Sequence, residues 1–143
     1  MVTGDDPASW PRDNHVSLAE EHDLFVVLPA TANVLSAAAA GAAPNMLTAT
    51  VTAAKSPVVF FPVMSAEMWA KPAVRRNVTQ LRADGHDVIE PATGPRYDVA
   101  LGRFVESPMP PSPPQFIETI RQHLAVNIAT PRSLQRYAQL PLY

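Results

Sequence analysis

Two apolar runs, Leu24-Phe25-Val26-Val27-Leu28 and Val58-Val59-Phe60-Phe61, constrain this chain more than any other feature. Each is short, continuous and rich in β-branched or aromatic residues, and each stops at a proline, Pro29 and Pro62. A continuous rather than alternating apolar run marks a strand buried on both faces, the situation in parallel sheets covered by helices. The sequence between and after the runs supplies those helices. From Thr31 or Asn33 to Ala40 the residues are small and helix-favouring, and Gly41 provides a stop. Pro44 to Ala54 reads as a second helix with Pro44 in its first turn. Pro72 to Ala83 reads as a third, with Val74, Val78 and Leu81 on one face and Gly85 beyond its end. Val88-Ile89 is a short strand ending at Pro91. His15 to Glu21 predicts a turn or two of helix, Gly94 to Pro114 reads as loop, and Phe116 to Val126 as a final amphipathic helix.

Strands alternating with helices predict an α/β fold with a parallel sheet. The spacing places the folded domain over residues 15–127. An irregular entry segment occupies 1–14, and a tail or an arm onto another subunit occupies 128–143. With 143 residues, a net charge of −2 and charges of both signs, the chain gives no electrostatic reason to bind nucleic acid or an anionic membrane. No apolar run approaches the roughly 18 residues of a membrane span. Met1 to Pro11 lacks the basic-then-apolar order of a signal peptide, so a soluble cytoplasmic protein is the expectation. The chain has no cysteine, which excludes disulfides, thiolate metal sites and a cysteine nucleophile. His15, His22, His86 and His123 are scattered with no carboxylate constellation beside them, and no metal site is expected. No serine triad, Walker loop or GxGxxG is present.

Ligands of such sheets bind beyond the carboxyl ends of the strands, which here are Pro29-Ala30-Thr31-Ala32-Asn33 and Pro62-Val63-Met64-Ser65. At the first, backbone N–H groups opening a helix, helped by the Thr31 hydroxyl, suit a phosphate or a polar ring edge, and Ala30 and Ala32 admit a flat ligand. The alternative is a cap that serves only its own helix. At the second, Met64, Met68 and Trp69 surround Ser65 and Glu67, either as part of a site or as core packing.

Taken together, these stretches carry a resemblance. Pro29-Ala30-Thr31-Ala32-Asn33-Val34 resembles the PASANT motif of the homo-oligomeric flavin-containing cysteine decarboxylases. Gly41-Ala42-Ala43-Pro44-Asn45-Met46-Leu47-Thr48 is similar to the family's next segment, and Pro62-Val63-Met64-Ser65-Ala66-Glu67-Met68-Trp69 to its PxMNxxMW motif. Pro72-Ala73-Val74, Asn77, Leu81 and Gly85 match the helix that follows. His15, with Leu18, sits where the family keeps its active-site histidine. Five motifs in order and at the right spacing, from about His15 to Phe104, carry far more weight than any one.

The resemblance implies a flavodoxin-like or Rossmann-like three-layer sandwich, FMN as cofactor, and a homo-oligomer, trimeric or dodecameric. It implies His15 as the base near a substrate thiol, since an imidazole takes and returns a proton near neutral pH. Thr31, Ala32, Asn33 and Val34 would line the flavin, with Val63 on its other side. Ser65 and Met64 would meet the substrate, Ser65 standing where the family has an asparagine on the substrate carboxylate. Gly102-Arg103-Phe104 resembles the lid, so Phe104 would cover the substrate.

Four departures matter. Ser65 offers one hydroxyl donor where an amide would offer two, and Val34 removes a hydroxyl from the flavin side. Arg96 to Leu101 has no cysteine where phosphopantothenoylcysteine decarboxylases carry the thiol that reduces the enethiol. Finally, nothing before His15 supplies the family's opening strand, Gly-rich turn and helix for the FMN phosphate. The expectation is an N-terminally shortened fold, whether truncated, completed by another polypeptide, or without flavin. The leading expectation is oxidative decarboxylation of the C-terminal cysteine of a precursor peptide, as in lanthipeptide and linaridin maturation. The alternatives are an enzyme like the phosphopantothenoylcysteine decarboxylases and a non-catalytic regulatory subunit.

Overall fold

The computed structural model describes residues 14–127; most of the entry segment and the tail from residue 128 lie outside the described residues. The element order is α1 (His15–Glu21), β1 (Phe25–Ala30), α2 (Ala32–Ala39), α3 (Met46–Ala53), β2 (Val58–Pro62), α4 (Ala66–Ala70), α5 (Pro72–Ala83), β3 (Asp87–Val88), β4 (Ala92–Asp98), β5 (Arg103–Met109) and α6 (Pro113–Asn127). Two compact units divide the chain, one ending at Pro111 and the other beginning at Ser112.

The first unit is built on a parallel sheet of order β1-β2-β3. Phe25 lies opposite Val58 and Val27 opposite Phe60, while Val59 lies opposite Asp87. The central strand β2 is buried at every residue, as its unbroken apolar run requires. Val27, Leu35, Val51, Phe60, Val78, Leu81 and Val88 form one core cluster joining the sheet to its helices. Helix α2 packs on α5, and α1 on α3. This is the flavodoxin-like α/β arrangement.

Strand β1 departs from expectation in two ways. It continues through Pro29 to Ala30, across a cis Leu28–Pro29 peptide and a register shift after Val27. An edge strand tolerates a residue with no N–H because that side of it makes no ladder bond. Its burial is also one-sided at Leu28, which is 41% exposed. Helix α3 starts two residues later than Pro44, because Asn45 caps it. The Asn45 side chain accepts the Thr48 N–H at 3.0 Å, and the Thr48 hydroxyl accepts the Asn45 N–H at 3.3 Å, a reciprocal capping box. Helix α2 ends as expected: Gly41, at φ +67°, lets Gly41 N–H reach the Ala38 carbonyl and Ala42 N–H reach that of Ala37.

The segment read as loop from Gly94 contains an antiparallel hairpin, β4 paired with β5 from Ala92–Met109 to Asp98–Arg103. Strand β4 is mostly exposed, while β5 is buried only at Ser107 and Pro108. A hairpin outside the core carries no apolar alternation, and Pro95 and Pro108 argue against a strand. Its turn is held by the Asp98 carboxylate, which accepts the Leu101 N–H at 3.0 Å, and by Gly102 at φ +61°.

His86 ties α5 to the sheet. Its Nδ1 accepts the Val58 N–H at 3.1 Å, at the start of the fully buried β2, and its ring meets the Phe60 ring edge-on at 5.8 Å. His86→Phe keeps the aromatic contact but strands that amide, and is expected to lower stability by about 1–3 kcal/mol. His86→Gln, which retains an acceptor, recovers part of this. A urea unfolding series on the three proteins measures both, and equal midpoints for all three would show that the amide does not depend on His86.

The second unit, as far as it is described, is α6. It begins at Pro113, earlier than Phe116, with Pro113 and Pro114 in the first turn, where no N–H is needed. The Gln115 side chain accepts from the Ser112 N–H and hydroxyl at 3.0 and 2.9 Å. No helix among the described residues is long and apolar enough to cross a membrane.

Candidate functional site

The ends of β1 and β2 are joined. Ala30 pairs with Pro62, and the Val63 N–H donates to the Ala30 carbonyl at 3.1 Å. The two sequence stretches singled out above therefore lie side by side at the carboxyl edge of the sheet. Ala30 is wholly buried; Ala32, Val34 and Val63 are half-buried, and Thr31 and Asn33 are exposed.

Thr31 caps α2, its hydroxyl accepting the Val34 N–H at 3.3 Å, while the Leu35 N–H reaches its carbonyl. The capping reading of Thr31 is thus correct, yet it leaves the amides of Ala32 and Asn33 facing outward, as the first amides of any helix do. Two backbone donors therefore lie beside Ala30, Ala32 and Val63, which are buried or half-buried and apolar, and Asn33 is exposed beside them. That donor set suits the edge of a flat heteroaromatic ring that carries its own carbonyl and N–H groups.

Ser65 caps α4 in the same manner, accepting the Met68 N–H at 3.3 Å. Glu67 stands beside it. Its own backbone N–H, then the Ser65 hydroxyl, holds the Glu67 carboxyl below the usual carboxylate range, with Arg96 assisting and Asp98 opposing. The sequence reading named Glu67 beside Ser65 but gave it no role, although a carboxylate in the first turn of a helix is a recognisable signal. Met64 and Trp69 pack against the core cluster, so the packing alternative holds for both, and Met68 is exposed.

His15 opens α1, half-buried, with Nδ1 screened from solvent. Asn14, taken above as part of the entry segment, fixes that first turn: its side chain accepts the Val16 and Ser17 N–H groups at 2.9 and 3.1 Å. An Asn directly before a helical stretch is a cap signal that the sequence already held. Residues 22–24 connect α1 to β1, and α1 packs against α3. Toward the other end of α1, Glu20 pairs with Lys55, just before β2, at 3.4 Å.

Phe104 lies on β5 opposite Tyr97 of β4, the rings edge-to-face at 5.3 Å and both more than half exposed. Tyr97 is a second residue the sequence reading missed. Tyr97-Asp98 and Arg103-Phe104, which set aromatic opposite aromatic and acid opposite base across a short turn, were the available signal. The hairpin packs against α4 through β5. The structure thus gathers Thr31, Ala32, Asn33, Val34, Val63 and Ser65 at one edge, with Met64 turned to the core and Phe104 on the hairpin.

Residues 5–108 match the family described as "Flavoprotein". In sequence the chain is similar to the coenzyme A biosynthesis bifunctional protein CoaBC of Mycobacterium tuberculosis, 52% identical over 102 residues covering 70% of this chain and 24% of that protein. It is similar also to mersacidin decarboxylase of a Bacillus species, 43% identical over 91 residues, 64% of this chain and 47% of that one. Among solved structures it is similar to the peptidyl-cysteine decarboxylase EpiD, with a TM-score of 0.72 and 26% identity over 79% of this chain and 65% of that chain. The chain spans about a quarter of the first of these curated relatives and about half of the second.

Proposed function

This chain belongs to the flavoprotein family, and we propose that it acts in the FMN-dependent oxidative decarboxylation of a C-terminal peptide cysteine. The observation that carries the reading is the joined edge of β1 and β2, where the Ala30–Val63 hydrogen bond sets Thr31 to Val34 beside Val63 to Ser65. Relatives named for cysteine or peptidyl-cysteine decarboxylation support the chemistry. Structures described as FMN-dependent or FMN-binding support the cofactor.

The residues at this edge fit the ring system of FMN rather than its phosphate. Ala32 and Asn33 offer backbone N–H groups to a polar ring edge, and Val34 and Val63 offer half-buried apolar surface. The chemistry FMN supplies when bound is acceptance of the hydride leaving the cysteine Cβ, which turns the thiol into a thioaldehyde able to hold the electrons left by CO₂.

The rest falls to the protein. His15 takes the thiol proton as the C–S bond gains double-bond character. Ser65 reads the substrate carboxylate, and Phe104 with Tyr97 closes over the peptide end. The product is an aminoenethiol. Arg96 to Leu101, at the tip of the hairpin, carries no thiol to reduce it further, which favours release of the oxidised product. The partner class is accordingly a cysteine-terminated peptide, handled by a homo-oligomer, trimeric or dodecameric.

The test is the mass of the product from a cysteine-terminated peptide, with the protein's flavin absorbance recorded beside it. Loss of CO₂ and two hydrogens supports the reading. Loss of CO₂ alone assigns the chain to the reaction type of the CoaBC-like relatives instead, and a colourless, inert protein assigns it to a non-catalytic role. Glu67 adds a graded prediction. Its carboxylate competes with the substrate carboxylate for the Ser65 hydroxyl, so Glu67→Gln is expected to lower KM for the peptide by about two- to fivefold. A raised KM would mean that Glu67 supports the substrate rather than competing with it.

A further inference from the structure

Helix α4 carries the Ser65 cap, yet it is only five residues long, too short to hold itself in place. Its position depends on what grips its far end. There Trp69 packs against the core cluster, and the Arg75 guanidinium of α5 lies 4.5 Å from its ring centroid. A cation over an indole face is attracted by the ring's quadrupole, and guanidinium stacks there better than ammonium.

Arg75 is itself held. Its Nη1 donates to Glu90 Oε1 at 3.1 Å, and the other oxygen of that carboxylate accepts from Arg82 Nη2, also at 3.1 Å. Arg82 in turn donates through Nε and Nη2 to the Val88 carbonyl at 3.2 and 2.6 Å. Val88 belongs to β3, which pairs with the buried β2. A continuous chain of contacts therefore runs from the sheet through Arg82, Glu90 and Arg75 to Trp69. Partial burial raises the Glu90 carboxyl's pKa, but the hydrogen bonds from Arg82 and Arg75 outweigh this and leave it below the usual carboxylate range. All three charged side chains are about half exposed, at 41%, 43% and 55%. Such pairs add little to global stability; their effect is to fix where one guanidinium sits.

We propose that Arg75 is a positioning residue for the substrate subsite: by holding the Trp69 ring it sets α4, and with it the Ser65 hydroxyl. The inference rests on the functional reading above, in which Ser65 meets the substrate carboxylate. Loss of the grip lets α4 shift, which weakens substrate binding more than it slows the step after binding. The energy of one partly exposed cation–ring contact corresponds to about two- to fivefold in affinity.

The experiment uses the full-length, FMN-loaded protein in a Trp10→Phe background, which leaves Trp69 as the sole tryptophan. Arg75→Met is expected to raise KM for a cysteine-terminated peptide about two- to fivefold. It should leave kcat within about twofold and the bound FMN unchanged, and make Trp69 emission more sensitive to acrylamide. Arg75→Lys, which keeps a cation, should restore part of both changes, and Glu90→Gln should give a smaller shift in the same direction. An active parent whose Arg75→Met variant keeps the parent's KM, or its Trp69 quenching, overturns the positioning role alone. A parent that turns over no cysteine-terminated peptide overturns the functional reading, and the positioning role with it.

Discussion

His15→Ala is expected to lower kcat by about 10²–10⁴-fold, the usual contribution of a positioned base, while FMN content and fold remain. The fold should survive because His15 is the first residue of α1, and the Asn14 side chain holds the helix start by accepting the Val16 and Ser17 N–H groups. The buried anchor of that helix is Ala19. Flavin should survive because the residues proposed to hold its ring lie on α2 and after β2, separate from α1. Single-turnover assays with a cysteine-terminated peptide, read beside the flavin spectrum, separate the two effects. Full activity in the variant would remove His15 from the chemistry. Loss of flavin together with activity would make its role one of cofactor retention.

The second large effect is on stability. Phe60 is completely buried at the centre of β2, between Val27 of β1 and Val88 of β3. Phe60→Ala is expected to cost about 3–5 kcal/mol, through lost transfer energy and the cavity left behind. Against a typical domain stability of about 5–15 kcal/mol, that is enough to unfold a marginal protein. The His86 ring, which meets Phe60 edge-on, loses its partner at the same time. Val99→Ala serves as the control: Val99 is 86% exposed at the hairpin turn, and its loss should stay within about 0.5 kcal/mol. Urea midpoints on the three proteins give both values. A cost for Phe60→Ala no larger than for Val99→Ala would mean that the core closes around the gap.

What the sequence disclosed followed the strength of the local signal. The run at Val58 gave β2 because a strand buried on both faces needs nothing but apolar residues. Helix α5 was legible from end to end because Pro72, the apolar face and Gly85 agree with one another. The edge containing Thr31, Val63 and Ser65 was legible as two motifs, and the general rule for parallel sheets predicted that they would meet. The Ala30–Val63 bond that joins them needed coordinates. Helix α4 has too few residues to show a period. The hairpin shows no alternation because only Ser107 and Pro108, near its base, are buried, and its prolines speak against strand. Pro29 appeared to end β1 because an edge position cannot be told from a central one in a single sequence. The Arg75–Trp69 stack and the Glu90 hub lie across three elements, and no local spacing encodes them.

The hairpin turn has a consequence for how such a protein can be changed. Residues 99–101 are exposed, and the hydrogen bond that shapes the turn lies within it, between Asp98 and Leu101. None of the three belongs to the core cluster. The tip is therefore a cassette: residues can be swapped, added or randomised between Asp98 and Gly102 with the rest of the protein as an unchanged chassis. Variation there costs folding almost nothing, so a lineage or a library can vary this turn while the parallel sheet stays unchanged.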